Sequence, residues 1–453
     1  MNIKEKINAL APEMIENLGK LVKYDSKKGD ELPEMPFGEG TAKVLSEALN
    51  MAEGFGLRTK NLDNYCGYAE IGEGKDIIGV VAHLDVVPAG DGWNTDPFVL
   101  TEKDGVLYGR GVSDDKGGAL ASLYALRLLK EEGVKLNKRV RLILGCNEET
   151  GCLCMEHYNE VEEPVALGFT PDGSFPGIHG EKGMADMLAK SKNTKIVSMK
   201  GGFVTNAVAN HCETVVPKAL VDAEILRKEL GATKLVGFDV KEDGENYVID
   251  ATGVSAHAST PNLGVNAIGC TMEALSKAGF KDDFVEFYNS HIGNNADGAG
   301  IGLKISDDYG ELTFNNGMVY TEDGVITCTI DIRVPVTYDE KKVRELCEKY
   351  LEDEKGVITI ESFKKPLFFP EDSPLVKSLA SAYAEVTGDY DSKPMVIGGG
   401  TYAKHIPGII AFGCEWPDED NHIHDANERL TVEQLKLQAE IYFEAIKKLL
   451  AVN

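Results

Sequence analysis

Two adjacent aspartates, Asp114 and Asp115, stand inside the stretch Gly109-Arg110-Gly111-Val112-Ser113-Asp114-Asp115-Lys116-Gly117-Gly118. Glycines on both sides permit a tight turn and close backbone packing. Paired carboxylates held in such a turn are costly unless a cation neutralises one of them. The stretch therefore points to a metal centre in which Asp114 bridges two ions and distant parts of the chain supply the other ligands. Candidates are His83 in His83-Leu84-Asp85, the pair Glu148-Glu149, Asp172 in Thr170-Pro171-Asp172-Gly173, and His424, with His422 as its competitor. On a strand, residues two apart point the same way, so Asp85 can orient the His83 imidazole and raise its basicity. Of two neighbouring glutamates, one can hold a metal while the other takes protons from an activated water. Alone, each fragment has a plain structural account: a hydrogen-bonded pair, a solvated strand end, a turn residue. Together they form an imidazole and carboxylate set without cysteine, which suits a catalytic zinc site, with manganese or cobalt as substitutes.

The elements that must position these residues follow from the apolar pattern. Up to about Ala52 the chain reads as helical, with Ile7, Leu10, Met14 and Leu18 at helical spacing and a second helix from Ala42. Asp76 to His83 (DIIGVVAH), Arg139 to Asn147, Val165 to Pro171 and Gly408 to Cys414 are short, nearly continuous apolar runs, as expected of strands buried on both faces of a sheet. A helix is expected from Gly118 to Glu132, and a last one opens on a Thr431/Gln434 capping box. The polar clusters lie just beyond the carboxyl ends of these strands, where open α/β sheets bind ligands. Between about Glu181 and Lys365 the texture changes. Lys241 to Gly253 reads as a strand with charged turns, Val265 to Ala278 as a helix, and Tyr338 to Asp353 as an amphipathic helix. Val325 to Val334 alternates cleanly, as in a sheet with one solvated face. The expected fold is α/β, with a central mixed sheet flanked by helices and an inserted α+β domain. Residues 1–180 and 366–453 form the discontinuous catalytic domain, and 181–365 the insertion.

At 453 residues the chain exceeds one ordinary core. A net charge of −27 argues against nucleic acid or an anionic membrane as partner. No run reaches the roughly 18 apolar residues of a membrane helix, and the charged N-terminus does not read as a signal peptide. Nine cysteines without framework spacing suit free thiols in a reducing compartment, so a cytoplasmic location is expected. The pair Cys152 and Cys154 is too little for a metal site.

The motifs HLDVVPAGDGW, YGRGVSDDKGG, NEETG, FTPDGSFP, GGGTYAKHIP and HIHDANE resemble those of the co-catalytic dinuclear metallopeptidases. That family includes aminoacylases, succinyl-diaminopimelate desuccinylase, glutamate carboxypeptidases and carnosinases. The resemblance runs over nearly the whole chain and is nearest to the bacterial peptidase V, or Xaa-His dipeptidase, branch. It implies a zinc-aminopeptidase-like fold and two Zn²⁺ ions, with Mn²⁺ or Co²⁺ as alternatives. His83 and Asp172 would hold one ion and Glu149 and His424 the other, with Asp114 between them. Asp114 rather than Asp115 is implied because the family aspartate precedes one variable residue and then Lys-Gly. His424 rather than His422 is implied because the family histidine stands four residues before a glutamate, here Glu428. The resemblance also implies a cis Asp114–Asp115 peptide, Glu148 as general base and Asp85 as partner of His83.

The insertion resembles the family's lid. Within it, His257 would stabilise the oxyanion, Arg333 would grip the substrate carboxylate and Asn206 would support that grip. Gly399, Gly400 and Thr401 would offer backbone contacts to the same carboxylate. Asn206-Ala207-Val208-Ala209 departs from the family pattern in lacking a proline after the valine. The implied substrate is a small peptide, a dipeptide measured from its carboxylate end. The insertion of about 185 residues resembles the enlarged lid that supplies its histidine within one chain, so a monomer is expected. Two rival readings use the same residues: an N-acyl amino acid deacylase or desuccinylase, and a metal-dependent peptide-binding protein without catalysis.

Overall fold

The Ile77–His83 strand is buried at every position, the outcome expected of an apolar run with no alternation. It lies at the centre of a mixed sheet. In the computed structural model, which describes residues 2–417 and 419–452, the strand order in this sheet runs Arg58–Leu62, Cys66–Ile71, Arg139–Gly145, Ile77–His83, Leu167–Thr170, Ile409–Ala411, Ile178–Glu181. The four strands from Arg139–Gly145 to Ile409–Ala411 are parallel. Their carboxyl ends therefore share one edge. The helix Lys116–Glu131 packs on the sheet and against Val432–Leu450, and the first helix, Ile3–Val22, contacts both. Asn17 Nδ2 donates to Tyr124 Oη (2.8 Å) within that helical layer. The final helix opens on the Thr431/Gln434 capping box.

The chain divides into two compact units, Met1–Gly180 with Phe369–Val396 and Gly400–Asn453, and Glu181–Phe368 with Ile397–Gly399. The second unit is an antiparallel sheet in the order Gly237–Asp243, Asn246–Thr252, His211–Pro217, Ser198–Gly201, Thr313–Glu322, Val325–Val334, Gly183–Ser191, Gly356–Lys364. The helices Ala223–Gly231 and Ala267–Lys277 contribute to one apolar core with it, through residues such as Leu226, Ile268, Leu275, Ile330 and Ile332. The tripeptide 397–399, expected in the last catalytic segment, joins this unit through Lys182 N donating to the Ile397 carbonyl (2.9 Å) and Arg333 Nη1 donating to the Gly398 carbonyl (2.9 Å).

Three local expectations change. Lys241 to Gly253 is not one strand: Gly237–Asp243 and Asn246–Thr252 form a hairpin whose turn holds Gly244 at φ +53°. The charges around Gly244 read as strand ends of equal weight on either side and hid the turn. The polar face of Val325–Val334 is not solvated; Thr327, Asp331 and Arg333 are buried, with Asp331 and Arg333 pairing on one face. The amphipathic helix after Tyr338 is shorter than expected, running Glu340–Cys347 before a 3₁₀ turn over Glu348–Tyr350. Among the described residues, no helix is long and apolar enough to cross a membrane.

Gly79 and Gly168 face each other across paired strands. A Cβ on Gly168 would stand 1.8 Å from the Gly79 carbonyl oxygen, so only glycine lets the strand leading to Asp172 approach the strand ending in His83. Gly168→Ala is expected to destabilise the protein by about 3 kcal/mol or more in denaturant unfolding. Gly54→Ala, at a helix end with open space around it, should be neutral or slightly stabilising.

Candidate metal centre

The shared sheet edge gathers the sequence-predicted residues. His83 is the last residue of its strand and pairs in register with Gly145, so Glu148 and Glu149 follow on the neighbouring loop. Asp172 follows the strand on the other side. His83 Nε2 lies 2.8 Å from Asp114 Oδ1 and 3.9 Å from Asp172 Oδ2. His424 Nε2 lies 3.0 Å from Asp114 Oδ2 and 3.3 Å from Glu149 Oε2. The two oxygens of Asp114 thus face different imidazoles. Two trios, His83 with Asp114 and Glu149, and His83 with Glu148 and Asp172, each place one donor atom per residue within 4.8 Å of the others.

The competing residues lie elsewhere. Asp115 Oδ2 accepts from His83 N (3.2 Å), so this carboxylate braces the strand end. His422 turns toward its own loop, with Nδ1 3.3 Å from the Ala426 carbonyl. The Asp114–Asp115 peptide is cis.

Asp85 differs from its expected role. His83 Nδ1 is 3.0 Å from the Asp85 backbone carbonyl, whereas the Asp85 carboxylate stands 3.6 Å from that nitrogen. The carboxylate instead accepts from Glu148 N (3.0 Å) and Glu149 N (3.1 Å). The strand ends at His83, so the two-residue periodicity behind the expectation does not extend to Asp85. What this carboxylate positions is the Glu148–Glu149 backbone.

Charge is unevenly matched here. Burial opposes charge on His83, but its hydrogen bond to Asp114 and the charges of Asp114, Asp85 and Asp172 outweigh that and hold its pKa well above the ordinary value. Hydrogen bonds to Asp114 and Glu149 push His424 up to about 11. Asp114 is drawn below the usual carboxylate range: burial opposes ionisation, but the two imidazoles prevail. Burial, followed by the charge of Asp172, pushes Glu148 well up. Burial also raises Asp85 to about 6, against the pull of His83. The buried Glu149 Oε1 has no hydrogen-bond partner. A donor set of imidazole and carboxylate atoms, with an orphaned buried carboxylate oxygen, fits divalent cations of the zinc, manganese or cobalt type.

Two residues near the centre went unread in the sequence. Glu428 is fully buried and accepts from Gly111 N, Ser113 N, Asp114 N and Arg110 Nη1. Tyr402 stands edge-on to His83, ring centres 6.2 Å apart, with its hydroxyl 3.0 Å from Cys154 Sγ. A charged residue inside an otherwise polar loop gives no sign that it will be buried, so only its offset from His424 was available.

In the second unit, Arg333 is buried and pairs with Asp331 through Nε (2.6 Å) and Nη2 (2.8 Å). With Nη1 on the Gly398 carbonyl, one N–H on each terminal nitrogen remains for an added carboxylate. The backbone of Asn206 to Val208 runs beside Ala256 to Ala258, so Asn206 and His257 share a corner. His257 Nδ1 is 2.7 Å from Ser259 Oγ. Gly399 belongs to this unit and Gly400 and Thr401 to the first, where Thr401 Oγ1 caps the turn at Ala403 N.

Residues 79–448 match the sequence profile of peptidase family M20/M25/M40. The chain belongs to this family. Among M20/M25/M40 relatives, the YtjP protein of Bacillus subtilis (strain 168), provisionally named a dipeptidase, is 36% identical over 434 residues, covering 92% of each chain. The structure of human carnosine dipeptidase 1 superposes with a TM-score of 0.61 at 15% identity, over 99% of this chain and 98% of that one. The Bacillus subtilis YXEP protein, described as a dinuclear metal-binding peptidase of the M20 family, gives 0.51 at 14% identity, over 98% and 100%. These structures share the M20 fold with this chain.

Because both imidazoles of this M20 peptidase hold protons when metal is absent, metal uptake must expel them. The apparent affinity of the metal-stripped protein for Zn²⁺ or Mn²⁺ should rise from about pH 6 to pH 8. Calorimetry in buffers of different ionisation enthalpy should show net proton release. Uptake without proton release would contradict the charge states above.

Proposed function

We propose that this peptide-bond hydrolase is a metal-dependent dipeptidase acting on unblocked dipeptides. Two divalent ions, Zn²⁺ or a Mn²⁺ or Co²⁺ substitute, would be held by His83 and Asp172 on one side and Glu149 and His424 on the other, with Asp114 between. The observation that carries this reading is that each oxygen of Asp114 faces a different imidazole, with Glu148 beside the first. When bound, such an ion pair supplies Lewis acidity and lowers the pKa of a water into the neutral range.

The chain's own groups account for the proton traffic. Burial and the charge of Asp172 hold the Glu148 carboxyl well above the ordinary carboxylate range, which suits a group that exchanges protons near neutral pH. It takes the proton of the attacking water as the new oxygen–carbon bond forms. It returns that proton to the amine nitrogen as the carbon–nitrogen bond breaks. Asp85 keeps the Glu148–Glu149 backbone in place through its two accepted N–H bonds. On the family resemblance, Arg333 pairs with the substrate's terminal carboxylate, supported by Asn206 and the Gly399 to Thr401 backbone, and His257 stabilises the oxyanion. The dipeptidase name of YtjP supports the substrate class. The size of the insertion supports a monomer, and nine buried free cysteines support a reducing, cytoplasmic location.

The test is hydrolysis of a panel by metal-stripped protein restored with Zn²⁺ or Mn²⁺: Ala-Ala, Leu-Leu, β-Ala-His, a tripeptide, N-acetyl-Met and N-succinyl-diaminopimelate. Cleavage should be confined to the free-amine dipeptides, and Glu148→Ala should lower kcat by about 10²–10⁴-fold. Cleavage of the acylated substrates instead would assign a deacylase. Arg333→Lys, which gives up the fork geometry, should raise KM for dipeptides about tenfold or more with a smaller change in kcat. Equal KM in that variant would remove Arg333 from substrate binding.

A further inference from the structure

The Glu428 carboxylate is fully buried, and both its oxygens are spent on one short turn. Oε1 accepts from Ser113 N (2.9 Å) and Asp114 N (3.1 Å). Oε2 accepts from Gly111 N (2.9 Å) and Arg110 Nη1 (2.8 Å). The Glu428 carbonyl accepts from Gly109 N (3.2 Å), and Ser113 Oγ donates to the next carbonyl, Arg429 (2.8 Å). One side chain therefore fixes the backbone that presents Asp114.

The same residue ends the loop that carries His424. Between them, Asn427 is tied to the 92–94 backbone, accepting from Asn94 N (2.8 Å) and donating to the Gly92 carbonyl (3.2 Å). The two candidate metal-binding imidazoles are held very differently. The His83 side chain is 1% exposed at the end of a central strand, whereas that of His424 is 55% exposed. Core packing holds the first. The second depends on where its loop is anchored, and the anchor is Glu428.

We propose that Glu428 is a positioning residue that sets His424 against Asp114, so that the metal position served by His424 depends on it and the position served by His83 does not. This rests on the two-metal reading above. A carboxylate is needed because all four donors point at it. A glutamine offers one oxygen, and its amide nitrogen would face either two peptide N–H groups or a peptide N–H and Arg110, none of which accepts a hydrogen bond. Arg110 is buried and lies 5.3 Å over the Trp93 ring, so a second variant, Arg110→Met with Glu428→Gln, removes the stranded charge.

The experiment is a competitive chelator titration of metal-stripped full-length protein with Zn²⁺, read as the affinity of each binding step, with circular dichroism and melting of the metal-free protein as the folding check. The unsubstituted protein should take up two ions. Glu428→Gln and the double variant should each weaken one step by roughly ten- to a hundredfold and leave the other within about threefold. His424→Ala should weaken that same step, and adding Glu428→Gln to it should cost nothing further at that step. Glu428→Asp, one methylene shorter, should fall between. Glu70→Gln, which disturbs another buried pair, with Arg141, should leave both steps unchanged. Unaltered binding, equal weakening of both steps, or fully additive losses with His424→Ala would overturn the positioning role while leaving the two-metal reading intact. Uptake of fewer than two ions by the unsubstituted protein would overturn that reading and this proposal together.

Discussion

Crowded negative charge at one sheet edge is the constraint on which the rest of the structure depends. Asp85, Asp114, Asp115 and Glu428 are all buried within a few residues of one another in space, beside Glu148, Glu149 and Asp172. The fold treats them in two ways. Asp85, Asp115 and Glu428 are answered by peptide N–H groups, with Arg110 added at Glu428. These carboxylates hold backbone. Asp114, Glu149 and Asp172 face imidazoles instead. Fixed dipoles satisfy the first group permanently, whereas the second is matched by groups that can exchange a proton for a cation. The distinction between scaffold and ligand is thus written in what each carboxylate accepts from.

Positions of strand ends were legible because buried parallel strands are apolar along their length and stop abruptly. His83, Glu148, Glu149 and Asp172 each stand where such a run breaks, and the parallel order of the strands brings the breaks to one edge. His424 follows its strand, Ile409–Ala411, only after a long loop, and its choice over His422 needed the family resemblance. Asp85 and Glu428 were misread or passed over for a common reason. Their partners are backbone amides of distant loops, which no side-chain pattern in the sequence announces. The hairpin around Gly244 and the buried pair Asp331 and Arg333 mark the same limit: charge in a sequence reports polarity, and only the fold decides whether a neighbour or water satisfies it.

Glycine carries more of the architecture than any one apolar residue. Gly79 and Gly168 bring two central strands close enough to align His83 with Asp172. A Cβ on Gly118 would stand 2.1 Å from Asp115 Oδ1, and one on Gly117 would stand 2.0 Å from the Val112 carbonyl. The glycines of the central turn thus let the following helix start directly beneath its carboxylates. The sequence marked them as turn residues, and their contribution is equally one of packing.

The order of segments along the chain has a consequence for biosynthesis. Ile409–Ala411 sits between Leu167–Thr170 and Ile178–Glu181 in the central sheet, yet it is made more than two hundred residues after both. While the ribosome is still adding that stretch, the sheet edge that will carry Asp172 lacks its neighbour and exposes unpaired strand groups. The second unit, continuous from Glu181 to Phe368 apart from one tripeptide, has nearly all of its strands in hand much sooner. A nascent chain would then carry a folded insertion on an unfinished host, so vulnerability to aggregation falls on the unit that binds metal and is concentrated in the interval before the last helix emerges.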